Sequence, residues 1–89
     1  MTESFNAWAT RTDLRLLYDH TAKGLEEALT DTQHSYEGVI TSSLHVHLDE
    51  QNCLEMIAVR GEGGKIKELA KELATKRGVK QLKLSIIQA

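Results

Sequence analysis

The chain has 89 residues, enough for one small domain and too few for a second core. Eleven Lys and Arg against thirteen Asp and Glu leave a net charge of −2, which argues against a dedicated nucleic-acid binder, and the 40% hydrophobic content excludes a disordered chain. No run approaches the roughly 18 apolar residues of a membrane-spanning helix, the start Met1-Thr2-Glu3-Ser4 lacks the features of a signal peptide, and the single Cys53 excludes an internal disulfide and reads as cytosolic.

Residues 1–12 are polar, lack periodicity and read as a flexible lead-in to a domain over 13–89. From Asp13 the apolar residues alternate, with Leu14, Leu16 and Tyr18 on one face, which predicts a strand. Ala22, Leu25, Ala28 and Leu29 then recur at helical spacing. Glu26 and Glu27 sit in the early turns, where the helix dipole favours anions, so a helix is expected from about Thr21 to Gln33. Residues 39–48, rich in Val, Ile, Thr and Leu, predict a second strand; 49–52 read as a hairpin turn and 53–60 as the return strand. After the glycines around 61–64, Ile66, Leu69, Ala70, Leu73 and Ala74 mark a second helix. Its last turn is expected to hold Lys76 and Arg77, with Glu72 and Lys76 paired and Gly78 just beyond the end. Leu82, Leu84 and Ile86 alternate as a final strand.

The order β-α-β-β-α-β predicts a ferredoxin-like α+β fold, with two helices on one face of a four-stranded antiparallel sheet. Residues 1–59 carry three basic and ten acidic side chains (net −7), and 60–89 carry eight and three (net +5). The basic excess falls mostly on the outer face of the second helix and reads as a solvated surface.

Chemistry concentrates between His34 and Cys53. Side chains alternate along a strand, so His45 and His47 share one face while Leu44, Val46 and Leu48 take the other. Pairing Leu44 with Met56 and Val46 with Leu54 keeps these apolar residues together, and sets His45 opposite Glu55 and His47 opposite Cys53. The apolar set is expected under the helices, and the His, Cys and Glu set on the open face together with Leu17, Val39, Ile57 and Val59. Each residue alone has a bland reading: a solvated strand histidine, or a cysteine acting as a small buried hydrophobe. Their convergence on one face outlines a metal site. His34 is the remaining donor. The helix that carries it is expected to cover the other face, which makes His34 of a neighbouring subunit the simpler geometry. Imidazoles with one thiolate suit Zn, Ni or Cu; tetrahedral zinc and square-planar Ni(II) or Cu(II) both accommodate the set.

These residues resemble a known family. Gln33-His34, Leu44 to Leu48 (LHVHL), Asn52 to Glu55 (NCLE), Arg60-Gly61 and Arg77 to Lys80 (RGVK) are similar to the regulatory domain of the NikR nickel-responsive transcriptional regulators, over about residues 14–84. The resemblance implies an ACT-like domain that tetramerises through its sheets. It also implies square-planar Ni(II) held by His45, His47 and Cys53 of one subunit and His34 of the next. Tyr18, Gln33 and Glu55 match family positions that orient the ligands. Family members carry an N-terminal ribbon-helix-helix DNA-binding domain, whereas about a dozen residues precede the first strand here. This chain is therefore expected to bind no operator by that route. The His-rich run around the first ligand is reduced to His34-Ser35-Tyr36, and the segment Arg77 to Leu82 departs from the family's RGVKHG pattern, so accessory metal sites are not expected.

The leading expectation is a cytoplasmic nickel sensor that passes metal binding to a helix end and to the oligomer. An ACT-type module sensing an amino acid at a subunit interface is the second class, and it makes the His and Cys set coincidental. A metalloenzyme ranks last, because it needs an open coordination position and a general base, for which Glu55 is the single candidate.

Overall fold

The computed structural model describes residues 10–87. Within them the order is β1 (Thr10–Asp19), α1 (Leu25–His34), β2 (Ile40–His47), β3 (Asn52–Gly61), α2 (Gly63–Ala74) and β4 (Val79–Ile87). The four strands form one sheet in the order β2-β3-β1-β4, and all three pairings are antiparallel. This is the expected ferredoxin-like βαββαβ arrangement. β1 begins at Thr10 rather than at Asp13; the rest of the expected lead-in lies outside the described residues.

Both helices differ from expectation at their ends. The Asp19 carboxylate accepts hydrogen bonds from the Thr21 amide at 2.9 Å and the Thr21 hydroxyl at 2.6 Å, closing a turn that competes with helix. Gly24 then adopts a left-handed φ of 76°, so α1 starts at Leu25 and not at Thr21. At the far end of α2, the Thr75 hydroxyl donates to the Glu72 carbonyl at 2.7 Å and the helix stops at Ala74. Lys76 and Arg77 therefore lie in the following turn, outside the helix. Glu72 accepts from the Tyr36 hydroxyl at 3.2 Å instead of pairing with Lys76. Gly78 has φ +103°, and a Cβ built there would stand 2.7 Å from Leu25 Cδ2 and 3.0 Å from Ala22 Cβ. The chain between α2 and β4 thus passes too close to α1 for any side chain at this position.

The core lies between the sheet and the two helices. Leu14, Leu16 and Tyr18 of β1 meet Leu25 and Leu29 of α1 and Ile66, Leu69 and Leu73 of α2. Burying each such Leu or Ile side chain is worth roughly 1.5–3 kcal/mol, so this layer dominates the fold's stability. β1 also decides which face of β3 is covered. Its pairing sets Leu14 against Ile57, Leu16 against Glu55 and Tyr18 against Cys53. Directly paired residues share a face, so Cys53, Glu55, Ile57 and Val59 point into the helix-covered layer.

This overturns the expected assignment of faces. Leu44, Val46 and Leu48 lie on the open side, with Leu44 58% exposed. The His, Cys and Glu set faces the helices, and Ile57 and Val59 belong to the core. Of the residues expected on the open face, Leu17 alone is paired there, opposite Leu54.

Candidate metal centre

The β2–β3 hairpin carries most of the candidate donors, in the register expected from hydrophobic matching: Leu44 opposite Met56, His45 opposite Glu55, Val46 opposite Leu54 and His47 opposite Cys53. The turn between the strands is held by Asp49. Its carboxylate accepts from the amides of Gln51 at 2.9 Å and Asn52 at 2.7 Å, and these bonds lower its pKa. The neighbouring β1–α1 turn is tied to the hairpin as well. Gln51 Nε2 donates to Asp19 at 3.1 Å and the His20 amide donates to the Gln51 carbonyl at 2.9 Å. The hydrogen bonds from Thr21, then Gln51, hold the Asp19 carboxyl down at about 2.

β2 is an edge strand, and its imidazoles stand at the rim of the covered layer. His45 and His47 are exposed, while Cys53 and Glu55 behind them are buried. His45 is held at both ring nitrogens. Its Nε2 lies 3.1 Å from Glu55 Oε2, and its Nδ1 lies 3.5 Å from the Tyr18 hydroxyl. Gln33, from α1, donates through Nε2 to the same Glu55 oxygen at 3.1 Å. Of the three expected orienting residues, Tyr18 and Glu55 contact His45 and Gln33 contacts Glu55.

Tyr18 links two more groups. It is the cross-strand partner of Cys53, and its hydroxyl donates to Glu26 Oε2 of α1 at 3.1 Å. Burial pushes the phenol far above its ordinary pKa, and the neighbouring Cys53 and Glu26 push the same way.

His34 ends α1 and lines a cleft of about 280 Å³ that Thr30, Gln33, Glu37, Ile40, Ser43, His45 and Glu55 also line. This corrects the reason for looking to a neighbouring subunit. α1 lies on the same side of the sheet as His45 and His47, so the chain's own His34 is not on an opposite face. Glu55 Oε1 is buried beside this cleft without a hydrogen-bond partner among the described residues.

Two contacts carried no sequence signal. The His20 ring sits 5.2 Å from that of His47, tilted by 52°. Glu26, whose sequence position marks only a helix start, reaches Tyr18. Neither follows a spacing rule, because each depends on how a loop or a helix settles over the sheet.

Three imidazoles and one thiol form a donor set that fits a late first-row divalent ion, and the buried oxygen of Glu55 adds negative potential beside it. Among the described residues, no three His, Cys, Asp or Glu side chains of the one chain are drawn together tightly enough to hold a metal ion. The hairpin presents its donors as an open array along an edge.

Comparison with known proteins gives one consistent answer. Residues 13–87 match the family model described as the NikR C-terminal nickel binding domain. A candidate nickel-responsive regulator of Methanocella arvoryzae is 50% identical over 74 residues, covering 83% of this chain and 53% of that protein. One from Dictyoglomus thermophilum is 51% identical over 73 residues, covering 82% and 54%. The chain thus spans about half the length of the curated relatives it matches. Among solved structures, an uncharacterized Thermotoga maritima protein aligns with a TM-score of 0.79 at 13% identity, covering 88% of this chain and 96% of that one. The ACT domain from GTP pyrophosphokinase of Chlorobium tepidum aligns with a TM-score of 0.70 at 13% identity, covering 85% and 97%. At such identities these two likenesses show the fold alone.

Proposed function

Because the chain belongs to the NikR C-terminal nickel-binding domain family, we propose that it is the metal-sensing module of a nickel-responsive regulator, with His45, His47 and Cys53 of one subunit and the partner subunit's His34 as its Ni(II) ligands. The observation that carries this reading is the arrangement of the hairpin. His47 faces Cys53, His45 faces Glu55, and all four point to one side of the sheet.

When bound, Ni(II) supplies a single four-coordinate centre that joins donors from different elements. The rest is the work of the chain's own residues. β2 and β3 hold the two imidazoles and the thiol in a fixed register. Tyr18 and Glu55 orient His45, and Gln33 ties Glu55 to the last turn of α1, the turn that carries His34. A change at His45 is therefore transmitted through Glu55 and Gln33 to His34. In a full-length regulator, that ordering of the α1 end would be coupled to a DNA-binding half. The exposed Leu44, Val46 and Leu48, with Leu54 and Met56 beside them, form the apolar sheet face through which copies of the chain assemble into a tetramer.

Titration of metal-free protein with Ni(II) tests this reading. It predicts thiolate-to-metal absorption saturating near one metal per chain, and loss of that absorption in Cys53→Ala. Equal binding and an identical spectrum in Cys53→Ala would overturn it. Tighter uptake of Zn(II) or Cu(II) than of Ni(II) under the same conditions would transfer the ligands to another metal. The ACT-like fold leaves an amino-acid sensor as the second reading, which thermal stabilisation by an amino acid but not by Ni(II) would favour.

A further inference from the structure

We propose that Lys80, bulged out of β4, is a positioning residue for the metal centre: it reaches across β1 to Asn52 and holds the hairpin turn that sets His47 against Cys53. The pairing of β4 with β1 skips one residue. Leu17 lies opposite Gln81 and Tyr18 opposite Val79, which leaves Lys80 unpaired between them. A bulge of this kind re-aims the extra side chain away from the regular alternation. Lys80 Nζ donates to Asn52 Oδ1 at 2.5 Å, although β1 lies between the two strands.

Asn52 passes this contact into the turn. Its Nδ2 donates to Asp49 Oδ2 at 3.1 Å, and Asp49 Oδ1 accepts the Gln51 and Asn52 amides. The Leu48 amide donates to the Asn52 carbonyl at 2.9 Å, and His47 with Cys53 is the last cross-strand pair before the turn. After the hydrogen bonds from Thr21 to Asp19 and from Gln51 to Asp49, the Lys80 charge also helps to keep both carboxylates ionised. One exposed ion pair is worth little. Here an amide oxygen and two carboxylates surround one ammonium, and together they fix a long side chain that is otherwise free to sample many rotamers. The metal half of this inference rests on the reading of His47 and Cys53 as ligands, whereas the turn half does not.

Charge and position predict opposite signs. An ammonium repels a dication, so removing its charge alone tightens Ni(II) binding. Releasing the turn weakens it, as happens when groups that orient ligands are lost. The experiment measures Ni(II) affinity, and amide hydrogen exchange by NMR in metal-free protein, for wild type, Lys80→Met, Lys80→Arg, Asn52→Ala and the double variant Lys80→Met with Asn52→Ala. Lys80 is exposed, so its replacement leaves the core intact. In Lys80→Met the Leu48 and Asn52 amides should exchange roughly two- to tenfold faster, and Ni(II) affinity should fall about tenfold. Lys80→Arg, which keeps the charge and the donors, should stay near wild type. In the Asn52→Ala background Lys80→Met should cost little more. Unchanged exchange in Lys80→Met overturns the inference, as does a Lys80→Arg protein that behaves like Lys80→Met, or a full loss from Lys80→Met without Asn52. Faster exchange with unchanged or tighter Ni(II) binding overturns the metal half. If wild-type protein takes up no Ni(II), the nickel reading fails while the exchange rates still decide whether Lys80 holds the turn.

Discussion

His45 and Glu55 meet across β2 and β3 with Nε2 and Oε2 3.1 Å apart, the imidazole 49% exposed and the carboxylate 2% exposed. The contact joins a solvent-facing imidazole to a buried acid whose other hydrogen-bond partner among the described residues is Gln33. Removing the imidazole leaves Glu55 short of a partner in a buried position, which is destabilising even when the lost bond itself was weak. In metal-free protein, His45→Ala should lower stability by about 1 kcal/mol in urea unfolding. A double-mutant cycle with Glu55→Gln should return a coupling of about 0.5–1 kcal/mol. Zero coupling would mean that the pair is not a working contact.

The origin of the fourth ligand is open to a mixing experiment. His34→Ala and Cys53→Ala chains each lack one donor. If the site joins two subunits, unfolding and refolding them together creates mixed interfaces in which one complete set is rebuilt, so tight Ni(II) binding reappears. If the chain's own His34 completes the site, across the cleft it shares with His45, the mixture binds no better than the separate variants.

Gly78 is a fold constraint independent of the metal. Its φ of +103° disfavours any side chain, and a Cβ would collide with Leu25 Cδ2 at 2.7 Å. Gly78→Ala should destabilise the domain by about 2–3 kcal/mol, the sum of backbone strain and a displaced core leucine. A midpoint of urea unfolding equal to that of wild type would show that the β4 entrance can move aside.

Asp19 predicts the acid limb of the stability curve. Its carboxyl is lowered from 3.8 to about 2 by the bonds from Thr21 and Gln51. A depressed folded-state pKa means that the unfolded chain binds the proton first. The Asp19 contribution is therefore complete above pH 3.8 and is lost as the pH falls through about 2. Asp19→Asn should remove that part of the pH dependence, leaving a flatter acid unfolding profile by circular dichroism. A variant whose profile overlays that of wild type would show that these bonds do not distinguish the folded chain.

The open sheet face makes a prediction about assembly. Leu44 and Leu48 are 58% and 53% exposed and border Val46, an apolar surface that a second copy would cover. Leu44→Lys should keep the circular dichroism spectrum and lower the mass found by sedimentation. If the mass stays that of wild type, copies of the chain meet elsewhere.

Much of the site was legible before folding. The alternation of His45 and His47, and the need to keep Leu44 and Val46 with Met56 and Leu54, were enough to place His47 opposite Cys53 and His45 opposite Glu55. The ends of the helices were less legible. A carboxylate that captures its own backbone at Asp19, and a hydroxyl that does the same at Thr75, override helical periodicity without altering it. The reach of Glu26 to Tyr18 was invisible, since the two are eight residues apart on different elements and meet only when α1 packs down.

The sequence by itself determined the order of the elements, the register of the hairpin and the grouping of histidines, cysteine and glutamate on one side of it. Only the tertiary structure decided which side that was. β3 is apolar on both faces, with Leu54, Met56 and Ala58 on one and Cys53, Ile57 and Val59 on the other. A period of two separates such faces and cannot rank them. The ranking came from β1, far away in the chain, whose core residues Leu14 and Tyr18 pair with Ile57 and Cys53 and draw that face under the helices. The thiol and the carboxylate were thereby buried, and the imidazoles were left exposed at the rim.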